Sequence, residues 1–189
     1  TFTHYNIFTR TAGLRGNNKQ MRKTWHKNFF IETDYKVPTD FWNNYFNGKW
    51  EDSNQLYSEY VDEATGGKEM NKFFVQEIHK FDRKLLRLIK NIWNEFGFRP
   101  KEFRCNFFKV LEGGELPIHV DNKSKCSFVI PVTENTGALY FDDGTDNDSI
   151  LYDSMVVLST KKPHGVRSPS KERIVFHMGI HDVGFENLS

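Results

Sequence analysis

From Phe103 to Ile180 the chain alternates apolar and polar residues with a period of two, in short runs broken by turn residues. No other feature limits the fold as much. Alternation sends every second side chain to one face of a strand, and several such strands at regular spacing build a jelly roll or barrel around an apolar interior. The runs predict strands over Cys126 to Val132, Gly137 to Phe141, Ser149 to Asp153, Met155 to Ser159, Gly165 to Arg167 and Arg173 to Ile180. Glu134 to Gly137 reads as a hairpin turn. The acidic run Asp142 to Asp148 lacks the spacing of a calcium loop and reads as a solvated turn.

Ahead of this region the pattern changes. Phe74, Ile78, Phe81, Leu85, Leu88, Ile92 and Phe96 recur every three or four residues, which predicts one helix over Lys68 to Phe96 with Gly97 as its stop. Pro38 opens a short helix over Thr39 to Phe46, whose Phe41, Trp42, Tyr45 and Phe46 form an aromatic face that reads as core. Asn28 to Thr33 reads as a strand and Gly48 to Gly67 as a loop with a short helical piece. The first 27 residues are polar and basic, either an arm packed on the barrel or a lid.

Length and charge bound the rest. At 189 residues the chain holds one domain with a substantial core. A net charge of +1 supplies no global field for a polyanion. No apolar run reaches the roughly 18 residues of a membrane span. The polar start Thr1 to His4 is unlike a signal peptide, and the missing initiator Met suggests a trimmed start. Cys105 and Cys126 are too few for a disulfide framework and fit buried thiols in a reducing, cytoplasmic setting.

Chemistry concentrates at His119-Val120-Asp121. Ile118 to Asp121 reads as a strand following the Gly113-Gly114 turn, so His119 and Asp121 project to the same side. His164, in a second His-Gly-Val stretch, offers a third ligand. Two imidazoles and one carboxylate on one face of a metal leave the opposite positions open, the arrangement of non-haem Fe(II) oxygenases.

The order His119-x-Asp121, then His164-Gly165-Val166, then Arg173 opening an apolar strand resembles the 2-oxoglutarate/Fe(II)-dependent oxygenase superfamily, in its prolyl-hydroxylase-like branch, over residues 100 to 182. That resemblance implies a mainly β fold with supporting α-helices, a double-stranded β-helix (jelly-roll) barrel with the metal in its mouth. It implies one oxygenase domain over 1-189, with an N-terminal strand and bracing helices in 1-100 and the metal-binding core in 101-182. His119, Asp121 and His164 would hold Fe(II), and Arg173 would pair with the distal carboxylate of 2-oxoglutarate, a task that suits its planar fork. Arg167 is the competing clamp. Strand alternation puts Asn106 and Ser127 where they orient the co-substrate. His177 shares the face of Arg173, either as a polar pocket residue or as a satisfied core histidine.

The chemistry implied is hydroxylation of a C–H bond with O2 as second co-substrate and ascorbate as an accessory. The substrate implied is a prolyl or other amino-acid residue, in a peptide or free; neither a membrane nor a nucleic acid is expected. The chain departs from the family at three places. Asn106 and Phe108 stand where many relatives carry Tyr, Arg173 where collagen-type prolyl hydroxylases carry Lys, and Gly179 where AlkB-type nucleic-acid dealkylases carry a second Arg. Lys123, Lys125, Lys161, Lys162, Arg167 and Lys171 are expected around the pocket mouth, suited to an acidic partner. A non-catalytic jelly-roll binding module, an AlkB-like dealkylase and a zinc hydrolase with the same ligands are the rival readings.

Overall fold

In the computed structural model, which describes residues 20–26, 29–56, 69–134, 138–142, 147–167 and 169–189, the alternating region is an antiparallel sheet curled onto itself. The strands described are β1 (Lys23–His26), β2 (Phe30–Thr33), β3 (Glu51–Asp52), β4 (Asn71–Glu77), β5 (Phe103–His119), β6 (Cys126–Pro131), β7 (Leu139–Asp142), β8 (Asn147–Ile150), β9 (Val156–Leu158), β10 (His164–Val166) and β11 (Arg173–Ile180). One layer runs β1-β2-β9-β6-β11-β5, with β4 and β3 continuing past β5. The other runs β5-β10-β7-β8.

The 17-residue β5 belongs to both layers. Its first half pairs with β11, from Ile180↔Phe103 to Arg173↔Val110, and its last residues pair with β10 through His164↔His119. The Gly113-Gly114 step, expected as a turn, is a bend within this strand. Gly113 takes a φ of 74°, and a Cβ on Gly114 would stand 2.7 Å from the Asn71 carbonyl oxygen. Glycine is what lets the strand swing from one layer into the other there.

Helix α1 is the single turn Ser53–Leu56, and α2 spans Arg83–Glu95. Asp82 caps α2 by accepting from the Leu85 N–H at 2.8 Å, and Gly97, at φ 67°, lets the chain turn away at its end. The helix expected over Lys68 to Phe96 is therefore two elements, since Asn71–Glu77 is β4. Phe74, Ile78 and Phe81 happen to fall in line with the true helical stripe. The alternation that decides the fold is Phe73 and Val75, both buried, with β5 alongside to take their backbone hydrogen bonds. The aromatic face after Pro38 is a 3-10 turn, Thr39–Asn44, and Trp42 is fully buried in the core as expected.

Alternation divides the apolar residues into two groups. Cys105, Phe107, Phe128, Phe176 and Met178 face outward and pack with Leu85, Leu88, Ile89, Ile92 and Trp42. Val110, Val129, Leu158, Val166 and Val175 face inward, with Phe30, Phe73 and Phe141. The inner group lines the space between the layers, and the polar residues among it make the site. The hairpin turn falls on 135–137 and most of the acidic loop on 143–146, both outside the described residues, as are most of the first 27.

Candidate metal centre

His119 ends β5 and His164 begins β10, as direct cross-strand partners. Asp121 lies two residues past the end of β5, not within it, so strand alternation is not what orients it. Hydrogen bonds to the segment leading into His164 hold its turn. The Asp121 N–H donates to the Thr160 carbonyl at 2.9 Å, and the Lys161 ammonium donates to the carbonyls of Asp121 and Asn122 at 2.7 and 2.9 Å. Thr160 Oγ1 donates to the Ser124 carbonyl at 2.7 Å. Asp121 and His164 are thus fastened to one short stretch of chain.

The three side chains converge. His119 Nε2 lies 3.1 Å and His164 Nε2 3.7 Å from Asp121 Oδ1, and the three ligand atoms fall within 4.8 Å of one another. The other ring nitrogens settle the tautomers. His119 Nδ1 stands 2.8 Å from the Pro117 carbonyl and His164 Nδ1 2.8 Å from the Lys162 carbonyl. A carbonyl only accepts, so each Nδ1 carries a proton and each Nε2 is the atom turned toward the carboxylate. Three potential ligand atoms thus converge on one point. The residues fit a divalent metal.

Protonation follows the same geometry. Burial alone would lower the His119 pKa, but the hydrogen bond and charge of Asp121 outweigh it and the value rises. Burial would likewise raise Asp121, yet its contact with His119 and the charges of the nearby histidines hold it below the ordinary carboxylate range. His164, buried and next to a positively charged His119, is pushed down to about 4.

Glycine at 165 is what lets β10 sit so close. A Cβ there would lie 2.7 Å from the Leu116 carbonyl oxygen and 2.8 Å from the Tyr140 ring. Any larger residue would push His164 away from His119.

The cluster opens on a cavity of about 210 Å³ lined by Phe108, Val110, Leu116, Val129, Leu158, Val166 and Val175. Arg173 also lines it, buried to 2% exposure. Its guanidinium donates to the hydroxyl of Tyr152, also buried, and its Nε–H has no partner. Among the described residues no carboxylate pairs with it. Tyr152 was not foreseen. It follows β8 with no motif around it, and only the fold reveals its contact with Arg173. Burial raises the Tyr152 pKa against the pull of the neighbouring guanidinium, so the hydroxyl stays neutral.

Asn106, Ser127 and His177 also line the cavity, on three neighbouring strands. His177 Nε2 lies 2.9 Å from Ser127 Oγ, and its ring stacks obliquely on Phe108 at 4.6 Å. Burial pushes the His177 pKa down to about 4. Arg167 stands elsewhere, exposed, with its guanidinium 4.6 Å from the Tyr140 ring.

The basic loops do not gather at the mouth as expected. Of the six residues only Lys123 lines the cavity, joined there by Arg104 and His181. Lys161 is committed to the Asp121 turn, Lys171 to Glu134 at 2.7 Å, and Lys162 sits 6.0 Å from the Phe29 ring centre. Cys105 and Cys126 are free, buried thiols on the outward side, both with raised pKa through desolvation, Cys126 to about 12. No described helix is long and apolar enough to cross a membrane.

The curled antiparallel sheet brings His119, Asp121 and His164 together near the meeting of its two layers. No protein-family model and no curated protein sequence matches the chain. Among solved structures it is similar to a prolyl-4-hydroxylase of Pseudomonas putida, with a TM-score of 0.51 at 17% identity over 78% of this chain and 89% of that one. It is also similar to a prolyl hydroxylase of Trichoplax adhaerens, with a TM-score of 0.50 at 14% identity over 68% and 74% of the two chains. At these identities the likeness is one of fold: the chain shares the curled antiparallel sheet of these two prolyl hydroxylases.

Proposed function

We propose that the protein is an Fe(II)- and 2-oxoglutarate-dependent dioxygenase that hydroxylates a C–H bond of a prolyl or other amino-acid residue. The convergence of His119, Asp121 and His164, each imidazole held through Nδ1 with its Nε2 inward, carries this reading. Two neutral nitrogens and a carboxylate suit iron in the +2 state and leave coordination positions for small ligands. When bound, the metal would supply the activation of O2 coupled to oxidative decarboxylation of 2-oxoglutarate to succinate.

The chain's own residues have defined tasks in this reading. Arg173 binds the distal carboxylate of 2-oxoglutarate, with Tyr152 holding the guanidinium in place. A buried cation is costly unless paired, and the dicarboxylate provides the missing counter-charge. Asn106 donates to an oxygen of the co-substrate, and Ser127 acts through His177. Arg167 is too exposed and too occupied with Tyr140 to compete. Phe108, Val110, Val129 and Val175 exclude water from the reacting end, and Lys161 keeps Asp121 in register with His164.

A peptidyl substrate has two supports. The Trichoplax adhaerens relative was solved with a peptide fragment of a hypoxia inducible factor, and the Pseudomonas putida relative is a prolyl-4-hydroxylase. A nucleic-acid substrate is less well served, since the basic residues are scattered and Gly179 is closely faced by Ser124. The test is release of succinate from 2-oxoglutarate with Fe(II), O2 and ascorbate. Metal-dependent succinate above the level of Asp121→Ala supports the reading. No succinate from folded, iron-loaded protein, with prolyl peptides present, would sink it.

A further inference from the structure

Ser127, His177 and Asn106 form a row across β6, β11 and β5, and the structure leaves the row one link short. Ser127 is fully buried, and its hydroxyl has His177 Nε2 as its side-chain partner. A buried hydroxyl proton needs an acceptor, whereas its lone pairs can go unused at less cost. Nε2 is therefore the acceptor, and His177 Nδ1 carries the ring proton. That N–H is shielded from water and has no partner. On the other flank the Oδ1 of Asn106, which is 3% exposed, is also shielded and unpartnered.

His177 and Asn106 are cross-strand partners on one face, a relation that places Cβ atoms about 4.5–5.5 Å apart. One lacks an acceptor and the other lacks a donor. Leaving both buried and unmet costs on the order of 1–3 kcal/mol each, and one hydrogen bond between them removes both costs. Asn106 lines the cavity, and its shielded atom is the oxygen, so the amide NH2 is the end that faces in.

We propose that Ser127, His177 and Asn106 act as a hydrogen-bonded relay. Ser127 fixes the His177 tautomer, His177 Nδ1–H donates to Asn106 Oδ1, and Asn106 is thereby held with its NH2 toward the cavity as a donor to a carboxylate or carbonyl oxygen of the bound ligand. His177 and Ser127 are positioning residues that touch no ligand. This rests on the proposed use of 2-oxoglutarate, which supplies such an oxygen. It explains why an uncharged His and a Ser stand buried beside a metal cluster they do not join.

The test combines nitrogen-15 NMR of the imidazoles with calorimetry of 2-oxoglutarate on Zn(II)-loaded protein, in the wild type, Ser127→Ala, His177→Phe and the double variant. The expected wild-type spectrum shows His177 protonated at Nδ1, and in Ser127→Ala that preference is lost. Each single variant is expected to weaken 2-oxoglutarate about 5-fold to 10-fold, as loss of one oriented hydrogen bond would. The double variant should be no worse than His177→Phe, because both changes break one chain. A proton on Nε2 in the wild type, unchanged affinity in both single variants, or multiplying losses in the double would overturn the relay. If wild-type protein binds no 2-oxoglutarate, the co-substrate reading fails and the tautomer in the wild type and Ser127→Ala still decides the relay.

Discussion

The outward and inward faces of the β5 layer are built from the same strands and do opposite work. Phe107 and Phe176 face outward into a layer closed by α2, where Leu85, Leu88, Ile89 and Ile92 are fully buried. One residue away, Asn106, Val175 and His177 face inward beside Arg173 and the His119, Asp121 and His164 cluster. The outward layer carries no buried ionisable group among its core residues other than two thiols. The inward face holds a buried guanidinium, an imidazole at 5% exposure and three shielded polar atoms without partners. Apolar packing is concentrated on one side of the sheet, and the other side holds buried polar groups that a ligand would partner.

That division can be broken from either side. The largest effect is expected at Phe107, whose ring meets Phe46 at 4.8 Å and Trp42 at 5.7 Å. Phe107→Ala should cost about 3–5 kcal/mol in denaturant unfolding, with metal affinity nearly unchanged once the protein is folded. A stability loss under about 1 kcal/mol would show that the outward layer is not the support it is taken to be. On the inward side, Asp121→Ala should weaken Zn(II) or Fe(II) binding on the order of 100-fold or more, since even groups that only orient a ligand account for 10–100-fold. Its melting temperature without metal should fall near neutral pH, because a carboxylate whose pKa is lowered in the folded protein contributes stability there. Metal affinity within a few-fold of wild type would displace the site from these residues.

A smaller effect sharpens the contrast at the outward layer's edge. Asp82 caps α2, and its pKa is lowered chiefly by the Leu85 N–H, with Tyr45 also donating to it at 2.8 Å. A depressed folded value means that the cap contributes fully above the ordinary Asp pKa and less as pH falls through the folded value. Asp82→Ala should cost about 1 kcal/mol near neutral pH, and the gap to wild type should narrow in acid unfolding measured near pH 3. A gap that is the same at both pH values would remove the charged cap from the account.

The sequence made some of this legible and hid the rest for physical reasons. The strands after Phe103 could be read because each buries one face, and a one-residue slip would expose it. The order of His119, Asp121, His164 and Arg173 could be picked out because these residue types carry their chemistry in their identity, and the fold brings the first three together. Strand β4 was hidden by coincidence, since Phe74 and Ile78 continue the helical stripe of α2 while Phe73 and Val75 carry the true pattern. Asp121 was assigned the right neighbours by the wrong geometry, because backbone contacts to Thr160 and Lys161 leave no local signal. Tyr152 and the His177–Asn106 pairing depend on contacts between strands far apart in sequence. The same holds for the dispersal of the loop lysines, of which Lys161 is drawn to the Asp121 and Asn122 carbonyls and Lys171 to Glu134.

The measurement closest to the central claim is titration of 2-oxoglutarate into Fe(II)-loaded, oxygen-free protein, beside metal-free protein and Arg173→Ala. Binding is expected to depend strongly on the metal and to fall by at least ~30-fold in Arg173→Ala, the loss of a charge-assisted contact of about 2–5 kcal/mol at 1.4 kcal/mol per tenfold. Metal affinity should be unchanged in that variant. Binding of equal strength with and without metal, or untouched by loss of Arg173, would contradict the assignment of this cavity to the metal and its dicarboxylate.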